Sequence, residues 1–368
     1  MTGRHPARSP LTAGLTARFV ARVAGPFAVA VLMAACSGVD KPKPTPLQPI
    51  DPALSVRPAW SARLGSIGFP LQVAVHGNTV TVANDNGVVS AREADSGREL
   101  WRADAGAKLS AGVGSDGRIP AVVTRDNELV AFDGGQPAWR KPLPSRVITA
   151  PLVAGERVFV LALDRSVHAF DALDGRKLWT FSRPGDPLTL TQPGVLTAYR
   201  DTLVVGQGAK LVGLDPLRGL ARWEVTVASP RGTNEVERLA DLVGPVARLG
   251  DVMCLRAFQA AIGCVNVERA ALAWARNTGG TQGVGADEQV MLTADASDRL
   301  SAWRREYGAP LWTFDKLAYR GLTAPLAAAN TFVVGDSEGV VHWLSRDNCA
   351  SLLRMNTDGS AVVSTPVR

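Results

Sequence analysis

The chain has 368 residues, with 40 Lys and Arg against 34 Asp and Glu, a formal charge of +6 and a pI near 9.4. Four of those bases, Arg4, Arg8, Arg18 and Arg22, fall in the first 35 positions, which hold no acid; removing these 4 from +6 leaves +2 for the rest. That remainder shows no Lys/Arg stripe with interleaved aromatics, which excludes nucleic acid as a partner, and no metal-ligand spacing, haem-attachment motif or Gly-rich phosphate loop, so no metal and no cofactor is expected.

In chain order, the first element is an apolar run from Val23 to Ala35, broken by Gly25 and Pro26. It reads as an export signal, too short to stay as a membrane-crossing helix. Its basic part is longer than such signals need, which leaves room for a start codon downstream of Met1. The signal, residues 1–35, ends in Leu32-Met-Ala-Ala-Cys36, which resembles the lipobox of bacterial lipoproteins except at Met33, where Leu is usual. The resemblance implies a lipid anchor of the palmitate type on Cys36, and Ser37 in place of Asp favours the outer membrane. The competing reading is a secreted protein with a chance cysteine. Residues 36–58 include Pro42, Pro44, Pro46, Pro49, Pro52 and Pro58 and are expected to form an extended tether, at ~3.1 Å per residue.

From residue 59 to residue 368 the chain repeats. Trp60, Trp101, Trp139, Trp179, Trp223, Trp274 and Trp312, with Leu353 standing in for an eighth, follow one another at steps of 41, 38, 40, 44, 51, 38 and 41 residues. Gly97, Gly135, Gly175, Gly219 and Gly308 sit four residues before their tryptophans and read as turn positions. Before each turn come short apolar runs separated by another turn, as in Arg157-Val-Phe-Val-Leu161 and Val167-His-Ala-Phe170 around Asp164-Arg165. About four short strands per ~40 residues is the blade of a β-propeller, whose faces are covered only by neighbouring blades. The expected fold is therefore all-β: an eight-bladed β-propeller of quinoprotein-like, Trp-centred repeats, with a tryptophan where two sheets meet. Trp60 reads as the last strand of a blade completed from the C-terminus. After Leu353 only Arg354 to Arg368 remain, so this closing blade is expected to be incomplete, with a truncated end and an exposed sheet edge.

His168 and His342 lie eleven residues before repeat tryptophan positions, where Ser90 and Ser301 stand in other units, and read as structural. Cys254 and Cys264 fall in two runs of one hairpin, where a cross-strand disulfide and two buried thiols both fit. Cys349 occupies a turn-glycine position and is expected as a free surface thiol. The longest step holds an insertion, 229–245, dense in charges of both signs; loops added to a repeat frame tend to carry function. The repeats alone also fit an enzyme that binds pyrroloquinoline quinone, although the adjacent cysteine pair of the related alcohol dehydrogenases is missing.

The lipobox, the eight repeats, Thr233-Asn-Glu-Val-Glu-Arg-Leu-Ala-Asp241 and Val334-Gly-Asp-Ser-Glu-Gly-Val-Val-His-Trp343 together resemble the BamB family, the propeller lipoproteins of the outer-membrane β-barrel assembly (BAM) machinery. The resemblance implies a non-enzymatic scaffold, lipid-anchored at the periplasmic face of the outer membrane. It aids insertion of outer-membrane proteins, some of which are possible direct clients, and binds the periplasmic domains of BamA, the barrel-forming subunit. The family's Leu-x-Leu-Arg contact loop corresponds to Leu188-Thr-Leu190, with Thr191 in place of Arg. Its acidic contacts correspond to Asp241, with Val243 where a second acid is usual, and Arg238 belongs to the rim. Leu188 and Leu190, at i and i+2, share one side of an extended strand and read either as an exposed anchor or as blade core.

Overall fold

The computed structural model describes residues 42–183, 188–230 and 233–368. The export signal, Cys36, residues 184–187 and part of the insertion lie outside them. Every regular element among the described residues is a strand. The strands form seven four-stranded antiparallel sheets, each a simple meander, spanning 74–104, 114–142, 152–181, 196–226, 242–277, 285–314 and 326–356. Local chemistry sets each hairpin. In the third sheet Arg157–Leu161 pairs with Val167–Asp171 in register Val160↔His168, and the turn between them puts Arg165 at φ 64° while the Asp164 carboxylate accepts the Ser166 N–H at 2.9 Å.

The repeat tryptophans join sheet to sheet. Trp139 lies over the turn of the third sheet and donates its indole N–H to the Ala172 carbonyl at 2.8 Å; Trp60, Trp179, Trp274 and Trp312 make the same bond to Ala94, Pro216, Arg305 and Arg346. The turn under five of the rings carries a glycine, and Gly175 gives the two reasons. Gly175 has φ 69°, and a Cβ there would lie 2.6 Å from the Trp139 ring. Within a sheet, the residue opposite each tryptophan is small: Ala91, Ala131, Ala169, Gly213, Cys264 and Ala302 face Trp101, Trp139, Trp179, Trp223, Trp274 and Trp312. In the seventh sheet the pair is exchanged, with Trp343 facing Leu353. The sheet thus keeps a ring in the pair while moving it to the neighbouring strand.

Successive sheets follow one another around an axis in the order of the chain, their first strands adjacent except that the first strand of the fifth sheet lies against the second strand of the fourth. The described strands complete seven sheets. The eighth position of the expected ring holds no sheet: Trp60 is in place over the first sheet, and residues 357–368 form no strand. The N-terminal segment crosses this seam. Thr45 donates to Ala318 at 3.0 Å and Ala53 to Leu352 at 2.8 Å, both beside the seventh sheet, while Asn84 of the first sheet donates to Leu64 at 2.6 Å. Leu47 packs against the core between the sixth and seventh sheets.

Cys254 and Cys264 face each other directly and are joined by a disulfide, with Cα atoms 4.0 Å apart and the Trp274 ring packed beside them. Cys349 corrects the expectation of a surface thiol. It is free but fully buried in the core around Trp312, at φ 57°. The turn-glycine position lies beneath a tryptophan, so any side chain placed there is covered by the ring.

Candidate partner-binding site

The repeat frame treats all sheets alike, and the asymmetry lies in the connectors. Between sheets the chain uses residues 105–113, 143–151, 182–195, 227–241, 278–284 and 315–325, so the two longest connectors are those on either side of the fourth sheet. Both expected partner segments fall in them.

These two connectors meet at the Asp241 carboxylate, which is also paired with Arg165 of the third sheet. The Asp241 carboxylate accepts from Arg165 Nη2 at 2.9 Å and Nε at 3.2 Å through one oxygen, and from the Leu190 backbone N–H at 3.2 Å through the other. Arg165 reaches on to the Leu188 carbonyl at 3.1 Å, and Gln207 Nε2 donates to the Arg165 carbonyl at 2.8 Å. The Asp241 carbonyl accepts the Phe258 N–H, and Gly194 bridges to Val243. The site therefore gathers groups from the third sheet, both long connectors and the fifth sheet. Asp241 faces the leucine loop and holds it, while its side chain keeps 16% exposure.

Leu188 and Leu190 are both half-buried. Leu190, with Ile148, Leu161 and Leu242, borders a small cavity of about 40 Å³. Arg238 is exposed on a turn closed by its own side chains. Asn234 Oδ1 accepts the Glu237 N–H at 2.9 Å, and Glu237 accepts the Thr233 N–H at 2.7 Å, so this carboxylate is held below its ordinary range by those bonds. The turn displays Val236 at 69% exposure. Sequence reasoning passed over Arg165 and Val236. Arg165 sits at an ordinary hairpin position of the repeat, and its partner is 76 residues away; Val236 looked like one apolar residue in a charged run.

The axis holds a second concavity of about 1240 Å³, lined by first strands and by residues 361–368. Its charged lining residues are Arg248, Asp287, Glu288 and Arg368, two of each sign. A quinone bearing several carboxylates needs a net cationic pocket, and this lining does not supply one. Among the described residues no group of three His, Cys, Asp or Glu could hold a metal ion. The two repeat histidines are committed to neighbours: His168 to Ser166 at 2.8 Å and Thr180 at 3.1 Å, and His342 to Asp336 at 2.9 Å.

Comparison with known proteins bears on the family and the fold. The family model described as outer membrane protein assembly factor BamB matches residues 84–314. The outer membrane protein assembly factor BamB of Bordetella pertussis is 37% identical over 331 residues, which are 89% of this chain and 86% of that one. The crystal structure of BamB from Moraxella catarrhalis superposes with a TM-score of 0.75 at 22% identity, covering 82% of this chain and 92% of that one. The quinohemoprotein alcohol dehydrogenase ADHIIG from Pseudomonas putida HK5 shares the fold, with a TM-score of 0.63 at 14% identity over 82% of this chain and 69% of that one. With the family matched across more than half its length, this β-propeller chain belongs to the BamB family of outer membrane protein assembly factors.

Proposed function

We propose that the chain is a non-catalytic scaffold of the outer-membrane assembly machinery, anchored by lipid at Cys36 on the periplasmic face and binding the periplasmic domains of BamA through the surface above the fourth sheet. The observation that carries this reading is the Asp241–Arg165 tie, which draws the two longest connectors into one pre-formed platform around Leu188 and Leu190. Pre-forming a loop removes ordering entropy from the binding step, which is how a small apolar anchor with a polar rim reaches useful affinity. Arg238 and the capped turn carrying Val236 form the rim.

The test is the double variant Leu188→Ala/Leu190→Ala. It should lose co-purification with BamA, at a cost of roughly 2–4 kcal/mol in binding, with an almost unchanged melting temperature. Unfolding of the variant would make the pair core, and a stable variant that binds normally would move the site elsewhere. The fold shared with quinohemoproteins is addressed by incubation with pyrroloquinoline quinone: stoichiometric uptake with dye-linked alcohol oxidation would replace the scaffold reading by an enzymatic one.

A further inference from the structure

We propose that the N-terminal strap, locked to the seventh sheet, turns the seam of the ring toward the lipid surface and holds the platform above the fourth sheet on the side away from it. The inference rests on acylation of Cys36 and adds to that reading an orientation of the body.

The strap is held by a buried latch. Arg320, with a side chain only 2% exposed, donates from Nη1 to the Thr45 carbonyl at 3.0 Å and from Nε to Asp336 at 2.8 Å, and its Nη2 pairs with Asp336 at 2.7 Å and with Glu338. Asp336 is itself fully buried and bonded to His342. Arg354 donates to the Gln48 carbonyl, and the Thr45 and Ala53 N–H groups complete the attachment. A buried guanidinium matched by a buried carboxylate is costly to open, because either partner alone leaves an uncompensated charge. Residues 45–53 thus belong to the body and are not a free tether.

Covalent geometry then sets the reach of the anchor. From Cys36 to Thr45 there are about nine residue steps, at most about 30 Å when fully extended. The unit Pro44–Arg368 has about 325 residues, which gives a radius of gyration of about 20 Å and a body roughly 50 Å across. The leash is shorter than the body, so the clipped side stays nearest the bilayer. Because sheets follow chain order around the axis, the fourth sheet is three sheets from the seam in either direction, and Leu188, Leu190 and Asp241 are carried with it. The charge of the crossing segment agrees. From Pro52 to Asn84 there is no acid, and Arg57 and Arg63 are exposed on the segment that crosses the seam. Basic side chains beside an anchor are drawn to anionic lipid.

The experiment uses the full acylated protein on vesicles of phosphatidylethanolamine and phosphatidylglycerol that carry a headgroup quencher. A fluorophore is attached at Asp358→Cys near the seam or at Glu235→Cys near the fourth sheet, both exposed; Cys349 is buried and does not compete. Quenching at position 358 should be several-fold greater than at 235. A Gly/Ser insertion of about twenty residues between Lys43 and Pro44 leaves the latch intact and lengthens the leash, and should bring the two sites to equal quenching. Arg320→Gln, where it folds, should do the same by freeing the strap. Equal quenching in the protein with its natural leash, or no response to the insertion, overturns the orientation. An unmodified N-terminus with no vesicle association is a different result: it overturns acylation of Cys36, and the orientation falls with it.

Discussion

Replacing Asp241 by Ala tests whether the platform is pre-formed. The substitution removes the acceptor for Arg165 at 2.9 and 3.2 Å and for the Leu190 N–H at 3.2 Å. The pair is neither buried nor fully exposed, at 22% and 16%, so its loss should cost folding about 1–2 kcal/mol, between an exposed ion pair and a buried charged bond. The larger effect should appear in binding. Residues 188–190 lose the bond at Leu190 and the carboxylate that orients Arg165 toward the Leu188 carbonyl, and ordering them on encounter, at about 1 kcal/mol per residue of backbone, costs up to about 3 kcal/mol. That corresponds to affinity for BamA periplasmic domains lower by on the order of 100-fold. Asp241→Asn keeps an oxygen for Leu190 and loses the charge, and should weaken binding by about tenfold. Calorimetric titration gives the affinity and hydrogen exchange at Leu190 reports the tie. If the Leu190 amide exchanges faster in Asp241→Ala while affinity stays at the native value, pre-formation of this loop has no part in binding.

Gly175→Ala places a Cβ at φ 69° and 2.6 Å from the Trp139 ring, and should lower stability by about 2–4 kcal/mol, seen as a drop of several degrees in melting temperature; an unchanged transition would mean the ring is not packed on that turn. Thiol titration of the acylated protein should find no reactive group when native and one when denatured without reductant. Cys349 is fully buried with its thiol pushed up by burial, and Cys254 is bonded to Cys264; three thiols on denaturation would remove the disulfide. Acid should destabilise the latch in two steps. Burial pushes His342 below its ordinary 6.5, against the Asp336 bond; burial alone would raise Asp336, but bonds from His342, Val340 and Arg320 outweigh it and hold it below 3.8. Both groups are deprotonated when folded, so their stabilisation is complete above pH 6.5 and is lost first as pH falls through the folded value of His342, then through that of Asp336. Melting temperatures measured down this range should fall, and His342→Ser should remove the upper step; a flat or rising profile contradicts the assignment.

Much of the architecture was legible because a propeller writes its period into the sequence. One tryptophan per sheet, one turn glycine and two hairpins recur at ~40 residues, and each has a local physical cause. The exchange of Trp343 and Leu353 was not legible, because it depends on which residues face each other across strands. The burial of Cys349 was missed for a related reason: a turn was assumed to face solvent, whereas in this fold that turn lies under the preceding indole. The seam was the largest gap. Thr45 meets Arg320 across 275 residues and Gln48 meets Arg354 across 306, contacts that no periodicity announces.

Asp241 shows how the neighbour a residue meets in the fold can differ from the one its place in the chain invites. Read along the chain, it is an acid in a charged insertion and invites an external cation. In the fold its nearest cation is internal, because Arg165, at an ordinary hairpin position of the third sheet, projects into the space that the two longest connectors enclose. On the proposed reading, an acid committed in this way would contribute to recognition by fixing the leucine loop, its side chain keeping 16% exposure for direct contact. Under the same proposal, discrimination between partners would fall to the exposed groups on the neighbouring turn, Arg238 and Val236. A charge-reversed pair, Arg165→Glu with Asp241→Arg, separates the two roles. If Asp241 acts by holding the loop, the reversed pair should restore much of the affinity lost in either single variant. If it acts by meeting a cation on the partner, reversal should deepen the loss, since the introduced guanidinium would then face like charge.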